Sequence, residues 1–406
     1  MEIDVRVPEE PERERWFDVC GIAFSGEVRP DDRERDTKLL PRDRMLAAYV
    51  DGELVGTAGD FPLALTIPGG ELPVAGVTMV GVVPSHRRRG VLTALMGHQL
   101  ADARGRGEPL AILWSSEAGI YGRYGYGVAT RASWLEADRD RVSFRAPADA
   151  GARVRLIDAE EALKILPPVY DRFRRSTPGA ISRSELWWRE YRLADDEHRR
   201  RGAGPKFYAV LELDGEAEAF AIYRVKEDWP EGFAASSLRV QETAGNSPRA
   251  VRELWRFLFG VDLVARVEAW NVPPDHPLFL LTAEPRRLRM RIGDGLWVRV
   301  LDIKAALAAR SYAAAGEVAF EITDPLVPEN EGVWRLQAGA EGASVERGGD
   351  PELRLGVAAL GSTYLGGFSF AELQAAELVE ELSDGAIARA DALFRTARAP
   401  WCLEVF

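Results

Sequence analysis

A chain of 406 residues is long for a single hydrophobic core, and two or three domains are expected. With 46% hydrophobic and 29% charged residues it has the balance of an ordinary soluble globular protein, and no stretch approaches the roughly 20 apolar residues that span a bilayer. A formal net charge of -12 argues against general nucleic-acid binding, which needs a basic face, and suits cationic small molecules better.

The N-terminal segment MEIDVRVPEEPERERWF lacks the apolar core of a signal peptide, so a cytoplasmic location is expected. Cys20 and Cys402 lie at opposite ends of the chain and form neither a disulfide framework nor a metal motif. His86, His98, His198 and His276 are scattered without ligand spacing, and no metal is expected.

MLAAYVDGELVGTAGDFPLAL alternates apolar residues around Asp51-Gly52 and predicts a hairpin. After a turn at Pro68-Gly69-Gly70 come the strand VAGVTMVGVV, the loop PSHRRRG and a helix from about Gly90 to Arg104, whose apolar residues recur at helical spacing. The strand LAILWSS and the segment EAGIYGRYGYG follow. FYAVLELDGEAEAFAIYRV is again a hairpin, about Asp214-Gly215, and SLRVQETAGNSPRAVRELWRFLFG is again strand, loop and helix. This repeat implies a duplicated domain whose second copy, with AGNSPRA in place of PSHRRRG, kept the scaffold and lost the site. The hydrophilic stretch Arg139 to Val154 is the candidate linker between the copies. From Gly295 on the pattern changes to short alternating strands and turns, then helical stretches such as FAELQAAELVEEL, ending on WCLEVF.

The candidate site is the loop from Pro84 to Gly90. A helix start carries about four unpaired N–H groups and the positive end of the helix dipole, so it binds phosphate through the backbone. Three arginines at that end are unfavourable unless an anion arrives, and with it they suit a pyrophosphate.

R-x-x-G after such a strand resembles the acetyl-CoA motif of the GNAT N-acyltransferases. VAGVTMVGVVPSHRRRGVL, SEAGIYGRYGYG, GLWVRVLDIKAALAARSY and GSTYLGG, in that order, resemble the Eis (enhanced intracellular survival) family of GNAT N-acetyltransferases from about Ala23 to Phe406. One departure is Leu92, where a small residue is usual. The resemblance implies an α/β (α+β) fold: a GNAT domain over 1–138, a degenerate GNAT-like domain over 139–294 and a domain similar to sterol carrier proteins over 295–406, assembled as a homohexamer. It implies acetyl-CoA as co-substrate, held by Val80, Gly81 and Val82, by Arg88, Arg89, Gly90, Val91, Leu92 and Thr93, and by Ser116 and Glu117. It makes Tyr121 the general acid and the carboxylate of Phe406 the general base, with Phe24, Glu27, Met79 and Glu404 around the acceptor amine.

The chemistry of these residue types bears on the implied roles. The strand's backbone donors can pair with pantetheine amides and polarise a thioester carbonyl. A phenol of pKa near 10 can give a proton to a thiolate whose conjugate acid is near 8.5; Tyr124 and Tyr126 are alternatives to Tyr121. An α-carboxyl near 3.5 is a poor match for an alkylammonium near 10, so Phe406 must be raised by burial or relay the proton through water. A terminal edge strand with its carboxylate in solvent is the competing reading of WCLEVF. The expected activity is acetyl transfer to primary amines of aminoglycoside or lysine type, and the rival is a non-catalytic carrier of lipid or small molecules that senses CoA.

Overall fold

In the computed structural model, which describes residues 2–339 and 342–406, the chain forms two compact units. The first comprises residues 2–130, 295–397 and 404–406, and the second residues 131–294 and 398–403. The described residues form three sheets.

In the first unit a seven-stranded sheet runs in the order Ile3–Arg6, Met45–Val50, Glu53–Ile67, Gly70–Val82, Leu110–Trp114, Leu296–Val300, Gly127–Val128. Every pairing is antiparallel except that of Gly70–Val82 with Leu110–Trp114. The predicted hairpin forms, with Asp51 at φ 50° and Gly52 at φ 82°, the left-handed pair that a two-residue hairpin turn requires. Met45–Val50 is buried along its whole length and reads as a core strand. The helix Val91–Gly105 crosses between the two parallel strands and buries Val91, Leu95, Met96, Gln99, Leu100 and Ala103, one face at helical spacing. The Gln99 amide donates to the Gly59 carbonyl at 2.9 Å.

The strand Leu296–Val300 is where the structure departs from the expected partition. It lies between Leu110–Trp114 and Gly127–Val128, so the first residues of the expected C-terminal domain complete the first sheet. The rest of that segment builds a five-stranded sheet in the order Gly342–Arg347, Gly332–Gly339, Gly316–Thr323, Leu353–Gly356, Val379–Glu381. Two local expectations are corrected there. VAAL and GSTY form one helix, Val357–Tyr364, and only Phe370–Ala375 of the expected helical run FAELQAAELVEEL is helical before the chain returns to a strand. The helix Val357–Tyr364 needs Gly127 and Gly361, because a Cβ on either would collide with a carbonyl of Ala358 or Val298. Arg299, fully buried on Leu296–Val300, pairs bidentately with Asp324 at 2.7 and 2.8 Å.

The second unit repeats the plan: Arg291–Asp294, Arg131–Asp138, Val264–Val272, Ser236–Gly245, Glu216–Lys226, Phe207–Leu213, Ala152–Ile157, with one parallel pairing, Ser236–Gly245 on Val264–Val272. Its hairpin turns at Asp214 (φ 53°) and Gly215 (φ 91°). The break with the first unit falls at Thr130, since Arg131–Asp138 pairs within this second sheet; the hydrophilic stretch Arg139 to Val154, expected as a linker, lies wholly inside the second unit. The tail Trp401 to Phe406 forms no strand, against the edge-strand reading. No described helix is long and apolar enough to cross a membrane.

Candidate active site

The site begins with a failure of strand pairing. Gly70–Val82 pairs in parallel with Leu110–Trp114 only from Val74 to Gly76, and past Ile112 the two strands diverge. On its other side the register slips, with Thr78 opposite Gly59 and Gly81 opposite Thr57, so that Met79 and Val80 have no opposite residue. Met79 has φ 53° at this bulge, and its carbonyl accepts from the Thr57 hydroxyl at 2.9 Å. A bulge re-aims backbone groups out of the ladder, which is how this strand can offer them to a ligand. Gly81 permits the close packing behind it, since a Cβ there would stand 2.6 Å from that of Ala23.

A cavity of about 470 Å³ opens where the strands part. One wall is Val77 to Val80 and another Trp114 to Ser116; Tyr121, Glu27, Phe24 and the final pair Val405 and Phe406 complete it. Five expected site residues, Phe24, Glu27, Met79, Tyr121 and Phe406, therefore line one space, together with Val80 and Ser116. Glu404 does not: it is fully buried and lies outside the cavity lining. Cys20, Gly21, Trp114 and Ser115 line it as well and were missed from sequence. Cys20 and Gly21 sit on the helix Arg13–Ala23, whose charged surroundings hid them, and burial pushes the Cys20 thiol up to about 12.

The three tyrosines of IYGRYGYG separate in space. Tyr121 ends the short helix Ala118–Tyr121, and burial, with Glu117 and Tyr124 nearby, pushes its phenol up to about 12. Tyr126 is buried behind it, ring edge to ring at 5.9 Å, and does not reach the cavity lining. The Tyr124 hydroxyl lies 3.4 Å from that of Thr93.

The arginine loop also divides its labour. Arg87 is structural: its guanidinium donates to the Val82 carbonyl at 3.1 Å and the Ala23 carbonyl at 2.8 Å. Arg88 and Arg89 are exposed and make no ion pair among the described residues. Arg88 (φ 61°) and Gly90 (φ 87°) are left-handed, and Gly90 caps the helix Val91–Gly105 without any side-chain cap. The first intrahelical bond runs from Ala94 N–H to Gly90 O at 3.0 Å, so the N–H groups of Val91, Leu92 and Thr93 point out of the helix start, as an anion site requires.

Comparison with known proteins decides the family. Models of an acetyltransferase (GNAT) domain match residues 4–129 and 179–300, and a sterol carrier protein domain matches 303–403. The N-acetyltransferase Eis of Mycobacterium tuberculosis is 32% identical over 97% of both chains. The chain belongs to the Eis family of GNAT N-acetyltransferases. An N-acetyltransferase of Streptomyces avermitilis is 40% identical over 99% of both chains, and the crystal structure of Eis1 from Mycobacterium abscessus superposes with a TM-score of 0.86 at 36% identity, covering 99% of this chain and all of that one. As an Eis-family enzyme the protein is an N-acetyltransferase built of two GNAT domains and a sterol-carrier-like domain.

The second GNAT domain does not repeat this open helix start. Its helix Pro248–Gly260 is closed by Ser247, whose hydroxyl accepts from Ala250 N–H at 3.1 Å, and begins with Pro248, which has no N–H to offer. Its arginine, Arg249, is held by Asp149 and by Asp214 at 2.8 Å.

Proposed function

We propose that the enzyme transfers the acetyl group of acetyl-CoA to a primary amine of a cationic acceptor of aminoglycoside or lysine type. The observation that carries this reading is the convergence of Tyr121, Glu27 and the terminal residue Phe406 on one cavity, itself set between the diverging strands. The acetyl donor supplies an activated thioester; the chain supplies the rest.

The residues suit that co-substrate. Arg88 and Arg89 offer free cations beside the unpaired N–H groups of Gly90 to Thr93, a match for a pyrophosphate. Val80 lies in the bulge, while Gly81 and Val82 stay paired with Thr57 and Gly56 on one side and lie past the point where the strand parts from Leu110–Trp114 on the other; Ser116 lines the cavity, and Glu117 follows it as the N-cap of the helix Ala118–Tyr121. Arg87 is set aside from phosphate contact because its Nε and Nη2 are engaged by backbone carbonyls.

Tyr121 is the proposed acid. Its raised pKa keeps the phenol protonated throughout the physiological range, so it can hydrogen-bond a departing thiolate and yield the proton as that bond breaks. The Phe406 carboxylate is the proposed base, and Glu27 the second anion that draws a cationic acceptor, with Phe24 and Met79 as apolar walls. A cytoplasmic location and a homohexamer are part of the same reading. Light scattering would test the last as six chains of 44.9 kDa.

Incubation with acetyl-CoA and a panel of kanamycin, spermidine and Nα-blocked lysine, with free CoA measured, tests the reaction. Release of CoA with at least one amine supports it, and silence across the panel overturns it.

A further inference from the structure

The two GNAT domains treat the same cleft differently. In the first, the space beyond the last parallel pair is the cavity. In the second, the parallel pairing of Ser236–Gly245 with Val264–Val272 ends at Val240 and Ala269, and the space beyond holds the chain's own residues 401–403.

The contacts there are specific. Asn271, two residues past the last pair, donates from Nδ2 to the carbonyls of Cys402 at 3.0 Å and Leu403 at 3.3 Å. Its Oδ1 accepts from the Trp401 indole N–H at 2.7 Å. The Trp401 backbone N–H donates to the Pro178 carbonyl at 2.8 Å, and its ring meets Phe173 edge-on at 6.0 Å. Trp401 and Leu403 share one apolar cluster with Ala244 of the opposite diverging strand. Gly179, at φ 92°, lets the backbone of Trp401 approach, since a Cβ there would lie 3.2 Å from it. Trp401 is 2% exposed and Asn271 7%, so every one of these bonds is made out of water, where an unpaired partner is costly.

We infer that the strand cleft of the second GNAT domain, the counterpart of the first domain's acyl-donor cleft, is a receptor for the C-terminal segment of the chain, and that Asn271 is the positioning residue of the terminal carboxylate. The second clause rests on the proposed role of Phe406. Three residues extend to at most about 10 Å, so a segment fixed at Leu403 restricts where the carboxylate of Phe406 can travel.

Carboxypeptidase A acting on the full-length protein reads tail capture directly, through release of Phe406 followed by mass spectrometry. In Asn271→Leu, release is expected to rise about tenfold or more and kcat with acetyl-CoA and kanamycin to fall by a similar factor, while the Kd for CoA stays unchanged. Trp401→Phe, which keeps an aromatic ring but loses the indole N–H and part of the ring system, should move both in the same direction and decides the matter if the first variant unfolds. Trimming that stays at the wild-type rate in both variants overturns the receptor. Faster trimming with an unchanged kcat overturns the positioning role. Deleting Phe406 separates the readings: if turnover survives that deletion the proposed base falls, while the trimming rates still judge the receptor.

Discussion

The ring of Phe406 meets the ring of Phe61 edge-on, with centroids 6.5 Å apart and planes at 82°. Phe61 is buried on the strand Glu53–Ile67, so the last side chain of the protein packs against a fixed element while its carboxylate belongs to the cavity-lining residue. An aromatic pair of this kind contributes about 1 kcal/mol beyond area burial. Phe61→Leu should therefore lower kcat about fivefold and leave the melting temperature within a few degrees, measured by steady-state kinetics and calorimetry. An unchanged kcat would remove Phe61 from any role in holding the terminus.

Tyr121→Phe removes one hydroxyl from the cavity and nothing from the fold. The expected loss in kcat is about a hundredfold or more, with CoA affinity unchanged by calorimetric titration. The pH profile is a sharper check. A phenol held at about 12 is in its donating form at every lower pH, so kcat should show no alkaline fall between pH 7 and 10 in the wild type. A descending limb in that interval would rule out Tyr121 as the acid.

The three arginines should separate in two assays. Arg87→Ala strands the carbonyls of Val82 and Ala23 and should cost about 1 to 3 kcal/mol of stability by denaturant unfolding. Arg88→Ala and Arg89→Ala should leave stability alone and weaken CoA binding about tenfold each, more at low ionic strength than at high. Identical behaviour of the three would contradict the division seen in the loop.

His276 supplies a pH-dependent stability. It is buried in the second unit, its Nδ1 accepts from Leu278 N–H at 3.1 Å, and its ring meets Trp255 at 5.2 Å. Burial holds its pKa down to about 3, against 6.5 for the ordinary side chain. Between these values the unfolded chain binds a proton that the folded one refuses, so the contribution is fully present above about 6.5 and is lost as pH falls toward 3. The slope is at most about 1.4 kcal/mol per pH unit. His276→Asn keeps an acceptor for Leu278 and should flatten the pH dependence in that window. Equal slopes for wild type and variant, by urea unfolding from pH 4 to 7, would dismiss the effect.

Much of the site was legible because the chemistry was local. PSHRRRG between an apolar strand and an apolar helix marks a helix start flanked by cations, which is the local pattern from which the proposed anion site was read. The Asp-Gly turns located both hairpins for the same reason. Glu404 came from the resemblance alone, and its burial outside the cavity lining depends on tertiary packing that no local pattern carries. Cys20, Trp114 and Ser115 were invisible because they meet the site only through folding.

The sequence by itself determined the motif order, the duplicated scaffold and the difference between the two strand-to-helix loops, because turn chemistry, periodicity and helix starts act within a few residues. The tertiary structure alone decided three things: that Leu296–Val300 completes the first sheet, that Arg87 serves the fold while Arg88 and Arg89 remain free, and that residues 401–403 fill the second cleft. Each depends on which distant backbone offers a partner for a donor or an edge. That choice is made by the closing of the core, and no local pattern carries it.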